Sequence, residues 1–429
     1  MKRGLLVATI AAIVALAFFT KKLSIQEGPA YQVSPFPYGK NFAFTITDDP
    51  DHTKLQKVKP VYDFLVKNGF KTTVAVWVLE AKRSNGLPDQ ENSHSESDTL
   101  QREAYRKYIL WLKEKGFEIA IHTVSEGNDR REDTVRGYEE YKKIFGENPK
   151  INIMHSNNLE NIYWGSKVIT NKYLQWFMEH VAGTIYPKVK FPFEGEVPGS
   201  PYFWGDILRE KTKYVRLWGT DDINTLKFNQ TMPYHDPAKP YVEYWFSFSD
   251  GYNVRFFKQL ISDENIERLV KERGASIVYT HFAAGFTLKT KEGKYEIDPS
   301  FSEQMEKIAR HKQGWFVPAS NLLDRLLLMK NVTLVEGNHV LLVVNSNECA
   351  VEGITILLPS NSLFFGSDGK EYRPNEENEI VIEKVPPFGN FALYTPTSES
   401  ALRNAEPGAS EYLFMVLKRI KIMIFSHIG

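Results

Sequence analysis

The sequence predicts a parallel (β/α) barrel followed by a small all-β unit. Three observations carry that expectation. Short β-prone runs alternate with helical stretches between about residues 41 and 330. Several of these runs end in acids or histidines: Asp48-Asp49, His122, His155, Asp221-Asp222 and His281. After about residue 331 the helical period disappears, and short β-prone runs follow one another between turn residues.

The first run is Phe42-Ala-Phe-Thr-Ile-Thr-Asp-Asp-Pro-Asp51, where Phe42, Phe44 and Ile46 alternate with Ala43, Thr45 and Thr47. Residues 58–68 carry a helical pattern stopped by Gly69, and 72–79 is a continuous β-prone run. Residues 84–98 are polar and loop-like. Residues 101–115 read as a helix stopped by Gly116, 118–121 as a strand running into His122, and 131–145 as a helix stopped by Gly146. Residues 151–154 form a strand running into His155. The Pro-, Gly- and aromatic-rich stretch 165–210 breaks the rhythm and reads as an insertion or long loop. The alternation then resumes with a strand at 214–218 and a helix at 265–273. A strand at 276–280 runs into His281, and 315–317 and 321–329 form a last strand and helix. Beyond 331, the runs at 332–335, 340–344, 354–358, 380–383 and 391–394 predict a β-sandwich-like accessory domain over 331–396.

The 429 residues suffice for two or three domains. With 53 basic and 53 acidic side chains the net charge is zero, which gives no support to nucleic acid as a partner. A single cysteine, Cys349, excludes an intramolecular disulfide and a cysteine-built zinc site. Met1-Lys2-Arg3, then an apolar run from Gly4 to Phe19, then Lys21-Lys22, predict a signal peptide or signal-anchor over 1–22. The protein is therefore expected to be exported, either secreted or membrane-associated through that segment. Residues 23–40 read as a linker, and 397–429 as a polar linker with an apolar and basic tail.

The ends of barrel strands gather on one rim, where parallel α/β proteins do their chemistry. Two adjacent carboxylates, Asp48 and Asp49, suggest a cation, a raised pKa, or both. The same segment could instead be a capped turn, with Asp51 as N-cap of a helix starting near Lys54. His122 and Glu126 stand four apart and would share one face of a first helical turn, a spacing that suits either metal ligation or a surface pair.

The order of these features resembles the polysaccharide deacetylases, metal-dependent esterases that remove N- or O-acetyl groups from chitin, peptidoglycan and related glycans. Thr45-Ile-Thr-Asp48-Asp49-Pro50 is similar to their Thr-Phe-Asp-Asp-Gly motif, with Thr47 in the aromatic slot and Pro50 in the glycine slot. Gly116-Phe-Glu-Ile-Ala-Ile-His122-Thr123-Val-Ser-Glu126 is similar to their Gly-x-Glu-Ile strand and His-Ser/Thr-x-x-His motif, with Glu126 in place of the second histidine. Ile277-Val-Tyr-Thr-His281 is similar to the strand that ends in Leu-x-x-His. The family's arginine motif is absent, and His155-Ser-Asn-Asn158 stands in its place. Trp218-Gly-Thr-Asp221-Asp222 echoes the Asp-x-x-Asp-Trp motif.

The resemblance covers roughly residues 40–330 and implies a distorted (β/α) barrel of the polysaccharide deacetylase type. It implies Asp48 as general base, Asp49, His122 and Glu126 as ligands of a divalent metal (zinc, or cobalt or nickel), and His281 as general acid. His155 and Asn158 are candidates for a further ligand or a substrate contact, and Asp221, Asp222 and Trp218 for substrate binding or for orienting His281. The implied activity is removal of acetyl groups from an acetylated polysaccharide at the cell envelope. Two alternatives stand beside it: a carbohydrate-binding barrel without turnover, and a glycoside hydrolase using paired carboxylates such as Asp48 and Asp222.

Overall fold

The computed structural model describes residues 31–84, 96–181, 192–337 and 339–396. The expected signal or anchor segment and the C-terminal tail lie outside the described residues. No helix among the described residues is long and apolar enough to cross a membrane.

Strand β1 (Gln32–Pro37) precedes the barrel. The barrel strands are β2 (Phe42–Asp48), β3 (Thr73–Val76), β4 (Glu118–His122), β5 (Ile151–Ile153), β6 (Tyr214–Thr220), β7 (Tyr244–Asp250) and β8 (Ala275–Thr280). Each runs parallel to its neighbour in that order, and β8 pairs back onto β2 from Ala43↔Ala275 to Asp48↔Thr280, closing the ring. The fold is thus a closed, seven-stranded parallel barrel with helices around it. Strand β7 lies in a stretch the sequence reading passed over, although Tyr244-Trp-Phe-Ser-Phe-Ser-Asp250 is β-prone throughout.

Beyond the barrel, β9 (Thr287–Lys289) and β10 (Tyr295–Ile297) form a hairpin, and β11 (Gly314–Trp315) lies beside the start of β2. Strands β12 (Val332–Gly337) to β18 (Asn390–Tyr394) build the accessory unit. It consists of a five-stranded sheet, in the order β12, β13 (Val340–Asn345), β18, β15 (Phe364–Gly366) and β16 (Glu371–Tyr372), and a three-stranded sheet, in the order β1, β14 (Val351–Leu357) and β17 (Glu379–Val385). Leu341, Val343, Ile354, Ile356, Ile382 and Leu393 fill the core of this unit. Strand β1 corrects the expectation of a linker over 23–40: Gln32 pairs with Leu357 and Val33 with Ile356. The region 165–210 is also more than a loop, since it contains the helices Lys172–His180 and Gly205–Lys211.

Period-two alternation sorts each barrel strand into two faces. On β2, Phe42, Phe44 and Ile46 pack outward against helices such as Leu55–Lys67, whereas Ala43 points into the barrel. On β4, Ile119 and Ile121 face out and Ala120 faces in. Ile151 and Ile153 of β5 and Ala275 and Ile277 of β8 belong to the same inner cluster as Ala43 and Ala120.

The N-terminal end of the barrel is closed by the helix Ala319–Met329. Its Leu322, Leu323 and Leu326 pack on that inner cluster, together with Phe36 of β1. The Thr73 hydroxyl accepts the Ala319 N–H at 2.9 Å and donates to Glu118, whose carboxylate also accepts the Ser320 N–H at 3.1 Å. This closure leaves the C-terminal end as the open mouth.

Candidate metal centre

The open end holds a cavity of about 350 Å³ lined by Asp49, Asp51, His122, His155, Arg216 and His281, with Trp164, Phe248, Tyr252 and Tyr279 around them. The polar residues arrive from five different strand exits, which is how a barrel concentrates chemistry in one place.

Three acids on one short segment meet three environments. Asp48 shares the outward face of Phe44 and Ile46. There it is sealed in, 2% exposed, accepting the Tyr62 hydroxyl and the Phe282 N–H at 2.6 Å. Burial pushes its carboxyl up to about 7, against the lowering effect of those two hydrogen bonds. Asp48 does not line the cavity. The sequence assignment of Asp48 to the mouth of the site is therefore corrected by strand parity.

Asp49, one residue on, turns inward and is gripped by Arg216, with Nη1 to Oδ1 at 2.8 Å. The same Nη1 donates to the Thr47 hydroxyl at 3.0 Å, and the guanidinium carbon lies 5.0 and 4.5 Å from the ring centroids of Phe248 and Tyr279. Arg216 sits inside a buried run, Tyr214-Val-Arg-Leu. A lone arginine in such a run is the signal that could have found it.

Asp51 does not cap a helix. The helix Leu55–Lys67 has Lys54 at its N-cap, and the Asp98 carboxylate takes the Leu55 N–H at 2.8 Å instead. Asp51 turns into the cavity, where three imidazoles meet it. His155 Nε2 lies 3.1 Å from Oδ1, while His122 Nε2 lies 3.5 Å and His281 Nε2 3.3 Å from Oδ2. Burial alone would raise the Asp51 carboxyl, but the three histidines outweigh it and hold it far below the usual carboxylate range.

The tautomers decide what this cluster can bind. His155 Nδ1 faces the Glu126 carbonyl at 3.0 Å, and His281 Nδ1 faces the Tyr252 carbonyl at 2.9 Å. A carbonyl only accepts, so each Nδ1 carries hydrogen, and in the neutral form of either ring the Nε2 lone pair faces the Asp51 carboxylate. Lone pairs facing an anion need a proton or a cation between them. His122 is buried, and neither of its ring nitrogens has a hydrogen-bond partner. Two groupings have donor atoms within 4.8 Å of one another: Asp51, His122 and His155, and Asp49, Asp51 and His281. One carboxylate and two imidazoles whose Nε2 atoms face it are the donor set of a divalent transition metal with positions left for water. The residues present thus fit the metal that the motifs imply. His281 stands slightly apart in character. Burial would lower it, but Asp51 and Asp49 outweigh burial and push it up to about 9.

The other sequence-nominated residues fall elsewhere. His122 and Glu126 do not share a helical turn, because the chain after β4 bends, with Thr123 in the left-handed region at φ 45°. Glu126 enters neither convergent grouping, and its backbone carbonyl is what meets His155. Asn158 is fully buried behind His155, with Oδ1 at 3.1 Å from Nδ1. Asp222 pairs with Arg268 at 2.9 Å, Asp221 is exposed, and Trp218 is 44% exposed; none of the three lines the cavity.

No protein-family model matches the chain, and no curated protein matches its sequence. Solved structures do match. A Mycobacterium smegmatis protein assigned as a polysaccharide deacetylase is 14% identical with a TM-score of 0.36, over 71% of this chain and 96% of that one. The allantoinase PuuE is 11% identical with a TM-score of 0.38, over 70% and 95%. The Bacillus subtilis peptidoglycan deacetylase PdaC is 13% identical with a TM-score of 0.30, over 69% and 95%. What the chain is similar to, at this level, includes deacetylases, an allantoinase, a 4-alpha-glucanotransferase, an alpha-amylase and a mannanase, and the architecture described above rests on its own strand pairing.

Proposed function

We propose that this protein is a metal-dependent hydrolase that removes acetyl groups from an N- or O-acetylated polysaccharide at the cell envelope. The observation that carries the reading is the convergence of the His122 and His155 Nε2 atoms on the Asp51 carboxylate, inside an open cavity. The ordered motif resemblance supplies the substrate class, and the apolar segment at 4–19 supplies the envelope location.

In this reading Asp51, His122 and His155 hold the metal. A divalent cation there supplies Lewis acidity toward the acetyl carbonyl and toward water. Asp49 is the cavity-facing carboxylate and accepts the proton of the attacking water, while Arg216 fixes its orientation. His281, with Nδ1 tied to the Tyr252 carbonyl, presents Nε2 to the cavity and donates a proton to the departing amine or alkoxide. Trp164, Tyr252 and Tyr279 offer ring faces and edges for sugar rings. Neither Asp48 nor Asp222 reaches the cavity, and the two carboxylates that do, Asp49 and Asp51, are taken up by Arg216 and by three imidazoles.

The test is acetate release from acetylated chitooligosaccharides and peptidoglycan fragments, with the full chain loaded with zinc, cobalt or nickel and again after chelation. Release that follows the metal supports the proposal. No release from any acetylated glycan, with metal bound, overturns it in favour of a binding protein.

A further inference from the structure

Behind the cavity lies a buried polar network that the reaction itself does not use. Asn158, Glu160, Asn161, Asn128 and Asp129 are all 3% exposed or less. Resting on the metal reading above, we propose that Asn158, held in one orientation by Glu160, is the positioning residue that fixes the tautomer and aim of His155.

The argument is one of donor and acceptor accounting. The Asn158 amide nitrogen donates to the Gly127 carbonyl at 2.7 Å and to Glu160 Oε1 at 2.7 Å. The Gly127 carbonyl only accepts, so the amide cannot flip without setting oxygen against oxygen. Its Oδ1 must then face His155 Nδ1, at 3.1 Å. An amide oxygen only accepts, so it requires hydrogen on Nδ1 and, in the neutral ring, leaves the lone pair on Nε2, facing Asp51. The Glu126 carbonyl asks the same of Nδ1, and Asn158 holds that carbonyl in place through the neighbouring Gly127.

Glu160 is fixed in turn. Its Oε2 accepts the Asp129 N–H at 3.1 Å, while Asp129 accepts the Ser125 N–H and hydroxyl at 2.9 and 2.7 Å. Two further bonds knit the same loops: Leu159 N–H to Asn128 Oδ1 at 3.0 Å, and Asn161 to the His155 carbonyl. The loop after β4 and the exit of β5 therefore move as one body, and that body carries both His122 and His155. Hydrogen bonds to the far nitrogen of a ligating imidazole fix its orientation and raise its basicity.

The experiment compares Asn158→Leu, Glu160→Leu and Glu160→Gln with the full-length wild type, reading two quantities. The first is the His155 tautomer of the neutral ring in metal-free protein, from 15N chemical shifts. The second is zinc affinity by chelator competition. Wild type should hold hydrogen on Nδ1. Asn158→Leu should mix the tautomers and weaken zinc binding by about 10–100-fold. Glu160→Leu should follow it, and Glu160→Gln, which keeps an acceptor for Asn158, should restore most of the affinity. If Asn158→Leu does not fold, Asn158→Ser, too short to span both partners, is read in its place. A folded Asn158 variant with the wild-type tautomer and zinc affinity within twofold overturns the inference. A wild type that binds no zinc overturns the metal reading instead, and the tautomer measurement then judges this inference alone.

Discussion

The two ends of the barrel carry similar side chains and treat them differently. At the closed end the charges of the plugging helix, Asp324 and Arg325, have several partners each. Asp324 takes Lys213 at 2.8 Å, Lys150 at 3.2 Å and the Tyr214 hydroxyl at 2.6 Å. Arg325 donates to the carbonyls of Pro35, Glu352 and Gly353, tying the barrel to the accessory sheets. At the open end, three imidazole nitrogens crowd one carboxylate and His122 has no hydrogen-bond partner. Both ends are densely polar, so polarity alone does not mark a site. A buried imidazole with neither ring nitrogen bonded, beside a carboxylate that two further imidazoles share, does.

The contrast can be broken most severely by deleting the groups left over at the open end. Asp51→Ala or His122→Ala should abolish bound metal and lower acetate release by about three orders of magnitude or more, since metal stabilisation is worth several kcal/mol. Metal analysis and initial rates on the same preparations check this.

Next comes the pair of neighbours on opposite faces of β2. Asp49→Asn should cost about 10²–10⁴ in rate, the usual worth of acid–base catalysis. Asp48→Asn should cost less than about tenfold, because Asp48 lies on the helix side of the strand. Equal losses would remove the distinction drawn from parity.

Arg216→Met tests the one buried ion pair at the open end. Leaving Asp49 buried without its cation should destabilise the fold by about 3–5 kcal/mol in urea unfolding.

Asp48 also has a pH signature. Its folded pKa, about 7, lies above the unfolded value near 4. The folded state therefore keeps a proton that the unfolded chain has released, and stability falls as pH rises between those values. The span is at most about 4 kcal/mol. Asp48→Asn should flatten that decline between about pH 4 and 7; an unchanged slope would assign it to other groups.

The smallest effect belongs to the closed end. Asp324→Asn should cost about 1 kcal/mol of stability and leave acetate release unchanged, because a half-exposed pair contributes little.

Much of this was legible in the chain. Alternation of β-prone and helical runs gave the barrel, and the strand-terminal residues His122, His155 and His281 do converge on one cavity. Asp48 was misplaced although its face was readable: it shares parity with Phe42, Phe44 and Ile46, whereas Asp49 and Asp51 share parity with inward Ala43. Glu126 was credited with a helical spacing that the chain after β4 does not adopt. In the sequence Asp51 could equally be an N-cap, because a local rule explains an acid after proline as well; only tertiary contact with three distant histidines distinguishes the two. Strand β1 was hidden among prolines, and its pairing with β14 lies more than 300 residues away.

The most direct measurement is metal content of the purified full-length protein by elemental analysis, on wild type, Asp51→Ala, His155→Ala and Glu126→Ala. The account predicts about one zinc or similar ion per chain in wild type and in Glu126→Ala, and none in the other two. A wild type that neither contains metal nor takes up zinc, cobalt or nickel would contradict it. So would metal lost on Glu126→Ala and kept on Asp51→Ala.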